Sequence, residues 1–251
     1  MQGFLSKSLA LGVFLYFGYA NSANPAKSTD QRYPWGSIHD TVNAELQDIP
    51  TRQTHYKFHR EFVGTDDTGK AVRTYSKPDG DVIAIEEVTY ENGKLKSMKL
   101  DHKQLNASGS MIVENGKLKF EYTANGKTTT DEEAFDPTTT VADQIYPTIH
   151  KNWDKLMAGE TIEIRLPVLD RRETVGFKIF KEKSDTFQGR PVEIIKMKPT
   201  SFIIAAVVDP LLFYIEPTGD RRTLEVKGRT LPKIQKEGKW KDFDAIMKFV
   251  Y

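Results

Sequence analysis

The sequence predicts a mainly β chain, a single domain of consecutive antiparallel strands interrupted by one kinked helix. Three observations carry this. Asn-Gly pairs stand at 92–93, 115–116 and 125–126, and Asn-Gly supplies the positive φ angles that two-residue hairpin turns require. From residue 53 onward, segment after segment alternates apolar and polar residues with the period of a half-buried strand. One stretch, residues 140–158, instead repeats its apolar residues at helical spacing.

Taken in order, residues 1–20 read as a cleaved secretory signal. Lys7 is their single charge, and LALGVFLYFGYA has the length of a signal core rather than of a membrane span. Gly18 and Ala20 place small residues at the usual cleavage positions. Residues 21–52 form a polar lead punctuated by Pro25, Pro34 and Pro50, with Trp35 and Ile38 expected to tuck against the body. Residues 53–251 are expected to make one β-barrel-like domain.

Within that domain, Tyr56, Phe58 and Phe62 fall on one face of a strand, and His55, Lys57, His59 and Glu61 on the other. The near-copies YENGKLKSM and VENGKLKFE repeat hairpin chemistry rather than a domain, because the likeness stops within a few residues. Thr140 is placed to cap the helix, with Asp143 reaching back. Val141, Ile145, Ile149, Trp153 and Leu156 share its apolar stripe, Gly159 ends it, and Pro147 is expected to kink or split it. ETIEIRLPV and ETVGFKIF then alternate around an Asp170-Arg171-Arg172 turn. RPVEIIKMKP makes a further strand, and Phe243 to Tyr251 alternate as the last.

The densest apolar run after the leader is Phe202 to Val208, followed by Asp209-Pro210 and then Leu211 to Ile215. Seven apolar residues are too few to cross a bilayer as a helix, which takes ~20. The run is therefore expected to be covered by protein or by something the protein binds.

Composition excludes more than it assigns. There is no cysteine, so an exported chain must stand on its own core, and roughly 230 residues suffice for that. Removing residues 1–20 takes one lysine from the 36 basic side chains and leaves them equal to the 35 acidic ones. Such balance gives no reason to expect nucleic acid as a partner. Residues 64–71, GTDDTGKA, miss the phosphate-binding loop. Ala71 lacks the hydroxyl, Asp66 and Asp67 repel phosphate, and a strand follows in place of a helix. His55, His59 and Glu61 share a strand face but lack further ligands close by, so no metal is expected. No nucleophile elbow, zinc-protease motif or cysteine nucleophile is present. Glu86 and Glu87 point to opposite faces and cannot act as a pair. No cofactor is implied.

From Thr140 onward the order of features resembles a known group. Asp143, Ile145 and Tyr146 open the helix, Ala158-Gly159-Glu160 close it, and Leu224 to Pro232 (LEVKGRTLP) follow the apolar run. This is similar to exported bacterial β-barrel domains of unknown function, whose architecture resembles the half-barrels of periplasmic lipoprotein and lipid carriers. The resemblance implies a strongly curved antiparallel sheet, a barrel or half-barrel, with the helix packed on its concave side. It transfers no functional residue.

The function expected is an exported periplasmic binding module carrying a lipid or other apolar small molecule between sheet and helix, in association with the cell envelope. The residues expected at the ligand are Phe202, Ile203, Ile204, Leu211, Phe213, Ile149 and Trp153. Arg221 and Arg222 would stand at the mouth to hold a headgroup. Two alternatives remain open: a small outer-membrane β-barrel, suggested by the alternating C-terminal strand, and a periplasmic enzyme.

Overall fold

Two-residue turns set the sheet. In the computed structural model, which describes residues 39–65 and 67–251, Asn92, Asn115 and Asn125 have φ of 50°, 50° and 52°, each followed by a glycine at 70–73°. Gln188-Gly189 and Glu237-Gly238 adopt the same conformation without the asparagine that announces it. The signal segment, the lead as far as residue 38 with Trp35 and Ile38, and Asp66 lie outside the described residues.

Among the described residues these turns and longer ones join fourteen strands. The first eight are β1 (Val42–Asp48), β2 (Thr54–Thr65), β3 (Thr68–Ser76), β4 (Val82–Glu91), β5 (Lys94–His102), β6 (Ala107–Glu114), β7 (Lys117–Ala124) and β8 (Lys127–Ala134). A helical connection follows. The remaining six are β9 (Ile162–Val168), β10 (Glu173–Phe187), β11 (Arg190–Pro199), β12 (Leu211–Ile215), β13 (Thr223–Lys236) and β14 (Lys239–Val250). Two antiparallel meanders, β1–β8 and β9–β14, are sewn into one sheet by the pairing of β1 with β14, where Leu46 faces Met247.

The sheet curls. Twelve strand steps separate β8 from β10, which at ~4.8 Å per step would place them nearly ~60 Å apart in a flat sheet. Yet the Thr174 amide on β10 donates to Glu133 Oε1 on β8 at 3.2 Å. The strand β9 is covered by residues 138–140, which form a parallel bridge between Thr139 and Arg165. Among the described residues no ladder joins β8 to β9, so the sheet stays open.

Inward side chains form two apolar clusters. The larger unites β1–β4 and β9–β14 with the helical connection, through residues such as Leu46, Phe58, Ile179, Phe213 and Phe249. The smaller gathers Val88, Met111, Leu118 and Phe120 with Val141 and Leu169.

Several expectations are corrected. The lead 21–52 contains β1, whose Val42, Ala44 and Leu46 are buried, so the β pattern begins before residue 53. The helix expected over 140–158 is a 3-10 turn at Ala142–Gln144, then α1 (Ile145–Lys151) and α2 (Trp153–Met157). Pro147 does not break it. As the third residue of α1 it lies in the first turn, where its missing N–H costs nothing. The break falls at Asn152, whose side chain donates to Thr148 O at 2.9 Å and whose amide is shared between Thr148 and Ile149. The capping box does not form. Thr140 Oγ1 meets Gln144 Oε1, and Asp143 turns inward. Finally, the apolar run is not core. It makes one short helix, α3 (Phe202–Ala205), projecting between β11 and β12.

Candidate functional site

Curling brings distant segments together, and a row of charged side chains ends up inside. On β2, β3 and β4 the inward positions include Arg60, Arg73 and Glu86, all buried. Asp143 meets Arg60 through two parallel bonds of 2.9 and 3.0 Å, and accepts from Tyr90 Oη at 2.9 Å. Arg60 also donates to the Asp40 carbonyl. Beside it, Arg73 Nη1 lies 2.8 Å from both Glu86 oxygens, and Nη2 donates to Tyr75 Oη at 3.0 Å. Burial raises Glu86 above the ordinary carboxylate range against the pull of Arg73, and pushes Tyr75 up to about 12. Buried charges persist only when paired and hydrogen-bonded. Through Asp143 this cluster ties the helical connection to β2 and β4.

Above Glu86 opens a cavity of about 380 Å³. Its walls are Met98, Leu100, Leu105, Tyr122, Leu169 and Leu231, drawn from β5, β7, β13 and the connections after β5 and β9. The close approach of the β9–β10 turn needs a glycine on β6. Leu169 and Tyr122 atoms lie 3.1 Å from where a Gly109 β-carbon would sit. At the rim, Arg229 bonds Asp244 at 2.7 Å and pairs with Asp242, which Lys233 also holds. Glu86 and His102 are the buried polar groups of the lining.

His102 is the more informative of the two. Its Nε2 lies 3.3 Å from the Leu231 carbonyl, which assigns the hydrogen to that nitrogen. Nδ1 is then an acceptor, buried and with no hydrogen-bond partner among the described residues. Burial lowers the imidazole below its usual value, so it is neutral at pH 7.

A second hollow, of about 1080 Å³, lies beyond the 3-10 turn Lys103–Leu105. Gln104 fastens that turn to β13, donating to Tyr56 Oη and Lys233 O and accepting from Lys233 N at 2.9 Å. This hollow is lined by Lys77, Asp79, Asp81 and Lys103 together with Tyr56, Val82, Ile83, Ile234 and Trp240, and it is wider and more open than the cavity above Glu86.

The residues expected at the ligand fall in three places, and none of them lines the cavity. Ile149, Trp153 and Phe213 are buried in the larger cluster, with Leu211 packed against it. Phe202, Ile203 and Ile204 are on α3. Arg221 lies over the Trp153 ring at 5.1 Å, while Arg222 bonds Glu216 at 2.9 Å and covers the Tyr251 ring. Gly64 pairs with Gly69 across the β2–β3 hairpin, a turn and not a phosphate loop. His59 rests on Asn43, and no group of three or more metal-ligating side chains is found among the described residues.

No family model matches the chain, and no curated protein matches it. Among solved structures it is similar to a β-barrel-like protein of a domain of unknown function from Brucella abortus. The two are 10% identical, with a TM-score of 0.43 over 84% of this chain and 94% of that one.

Proposed function

We propose that the chain is an exported binding module that takes an acyl-chain amphiphile into the cavity above Glu86 and His102, and that it works in the periplasm. The observation that carries this is the cavity itself: apolar walls from Met98, Leu100, Leu105, Tyr122, Leu169 and Leu231, with Glu86 and His102 in the lining. A pocket of about 300–1,000 Å³ with a few convergent polar groups is the ordinary form of a small-molecule site. The charged rim at Arg229 and Lys233 would face the ligand's polar end. The space between helix and sheet is filled by side chains. Tyr146 is wedged there edge-on against Phe213 and Phe249, at 5.5 and 5.7 Å.

The polarity of the sheet favours this reading over an outer-membrane barrel. Lys57, Glu61, Lys70, Glu87 and Lys119 point away from the buried face, whereas a membrane barrel presents an apolar band outward.

Native mass spectrometry of the gently purified protein, with displacement of a fluorescent fatty acid, tests the proposal. Leu105→Trp should fill the cavity and weaken probe binding by about tenfold, with folding intact. Equal binding by wild type and variant would refute the site. Osmotic-shock release and N-terminal sequencing of the product test the export reading separately.

A further inference from the structure

The most conspicuous surface feature lies outside the cavity. α3 and the residues after it expose Phe202, Ile203 and Val207 to 83%, 67% and 75%. From Phe202 to Val208 no side chain carries a polar atom. Exposed apolar groups of this size in one place mark an interaction surface.

Four successive amides of the projection are bonded within it. Ala205 N donates to Ser201 O, Ala206 N to Phe202 O, and both Val207 N and Val208 N to Ile204 O, all at 2.9–3.0 Å. Backbone bonded internally suits an apolar layer, where no water replaces a missing partner, and the first-turn amides of Phe202 to Ile204 would stay at its headgroup level. Protein interfaces, by contrast, carry about one hydrogen bond per 100–200 Å², and this surface offers no side-chain donor or acceptor.

Its base is held in place. Thr200 N donates to Gly176 O at 2.9 Å, and on the far side Pro210 and Leu211 press on Gly228, where a β-carbon would meet them at 3.1–3.3 Å. Just behind, Lys178 and Lys198 face each other across β10 and β11. Like charges placed opposite are unfavourable. Glu163 answers Lys178 at 3.4 Å, and Lys198 lies over the Phe180 ring. Basic side chains flanking an apolar tip complement an anionic lipid surface.

We propose that α3 is a membrane-docking finger: Phe202, Ile203 and Val207 enter the apolar layer of an anionic bilayer surface while Lys178 and Lys198 meet its headgroups. No helix among the described residues is long and apolar enough to cross a membrane, so the finger rests in one leaflet. The proposal stands whether or not the cavity holds a ligand.

The test is flotation of the full chain, freed of its leader, with phosphatidylcholine vesicles containing or lacking phosphatidylglycerol. Wild type should float with the anionic vesicles and bind less at high salt. Replacing Phe202, Ile203 and Val207 together by serine should weaken flotation by about tenfold or more with an unchanged melting curve, since these side chains support no core. Separately, Ile203→Trp should show a blue-shifted emission quenched by brominated lipid. Flotation unaffected by the triple substitution would overturn the proposal, as would no flotation of wild type. A wild-type dimer that the triple substitution splits, without vesicle binding, would assign the surface to a second copy and overturn it equally.

Discussion

Replacing Asp143 by asparagine keeps the side chain's shape and removes its charge. Arg60, with no exposed surface, would then sit in the interior facing a neutral amide across bonds that were 2.9 and 3.0 Å long. Leaving one member of a buried ion pair uncompensated costs about 3–5 kcal/mol. For a domain of 150–250 residues each kcal/mol lowers Tm by about 2–4 °C, so the expected drop is about 6–20 °C. Arg60→Met combined with Asp143→Leu removes both charges and should recover most of the loss, because a well-packed apolar replacement is often neutral. Arg60→Lys should not recover the fork, since a single ammonium cannot make two parallel bonds. Thermal unfolding followed by circular dichroism on the four proteins decides it. If the Asp143→Asn variant melts within about 2 °C of wild type, the account of the interior charges is wrong.

Three further outcomes are expected. His150 is held down to about 4, first by burial and then by the charge of Arg221. Between that value and its ordinary 6.5 the unfolded chain takes up a proton that the folded chain refuses. Stability from this group is therefore complete above about pH 6.5 and falls toward pH 4, by at most about 3 kcal/mol; urea titrations of wild type and His150→Gln across that range should diverge accordingly. Gly109→Ala puts a β-carbon 3.1 Å from Leu169 and Tyr122 and should cost about 1–3 kcal/mol, with a Tm indistinguishable from wild type counting against the described closure. Gln188→Asn relieves a left-handed residue at φ 51° and should stabilise by about 0.5 kcal/mol, read as a small rise in the urea midpoint.

The hairpins were legible because their chemistry is local: Asn92, Asn115 and Asn125 stand next to glycine, and each occupies the left-handed turn position. The helical stripe was legible for the same reason, since Ile145, Ile149, Trp153 and Leu156 are all buried. The strand β1 was hidden by the prolines around it, although Val42, Ala44 and Leu46 alternate with Asn43 and Glu45. The interior charges did leave a signal. Arg60 interrupts the face of Tyr56 and Phe58, Arg73 that of Ala71 and Tyr75, and Glu86 that of Ala84 and Val88. A charge at an inward position on three neighbouring strands is a buried network in the making. The apolar run misled because periodicity reports a residue's preference and not what covers it. The cavity had no local trace at all. His102, Leu105, Leu169 and Leu231 meet only through the curl of the whole sheet.

The seam between β1 and β14 bears on how this molecule acquires its shape. Asn43 finds Val250 only after about 200 intervening residues have been made, and such distant closures slow assembly. Until then the first meander presents a bare strand flank with the hydrogen-bonding groups of β1 unclaimed, a template for wrong neighbours. The first of the described strands is thus completed by the last, and anything that shields it in the interval is a partner in its biogenesis.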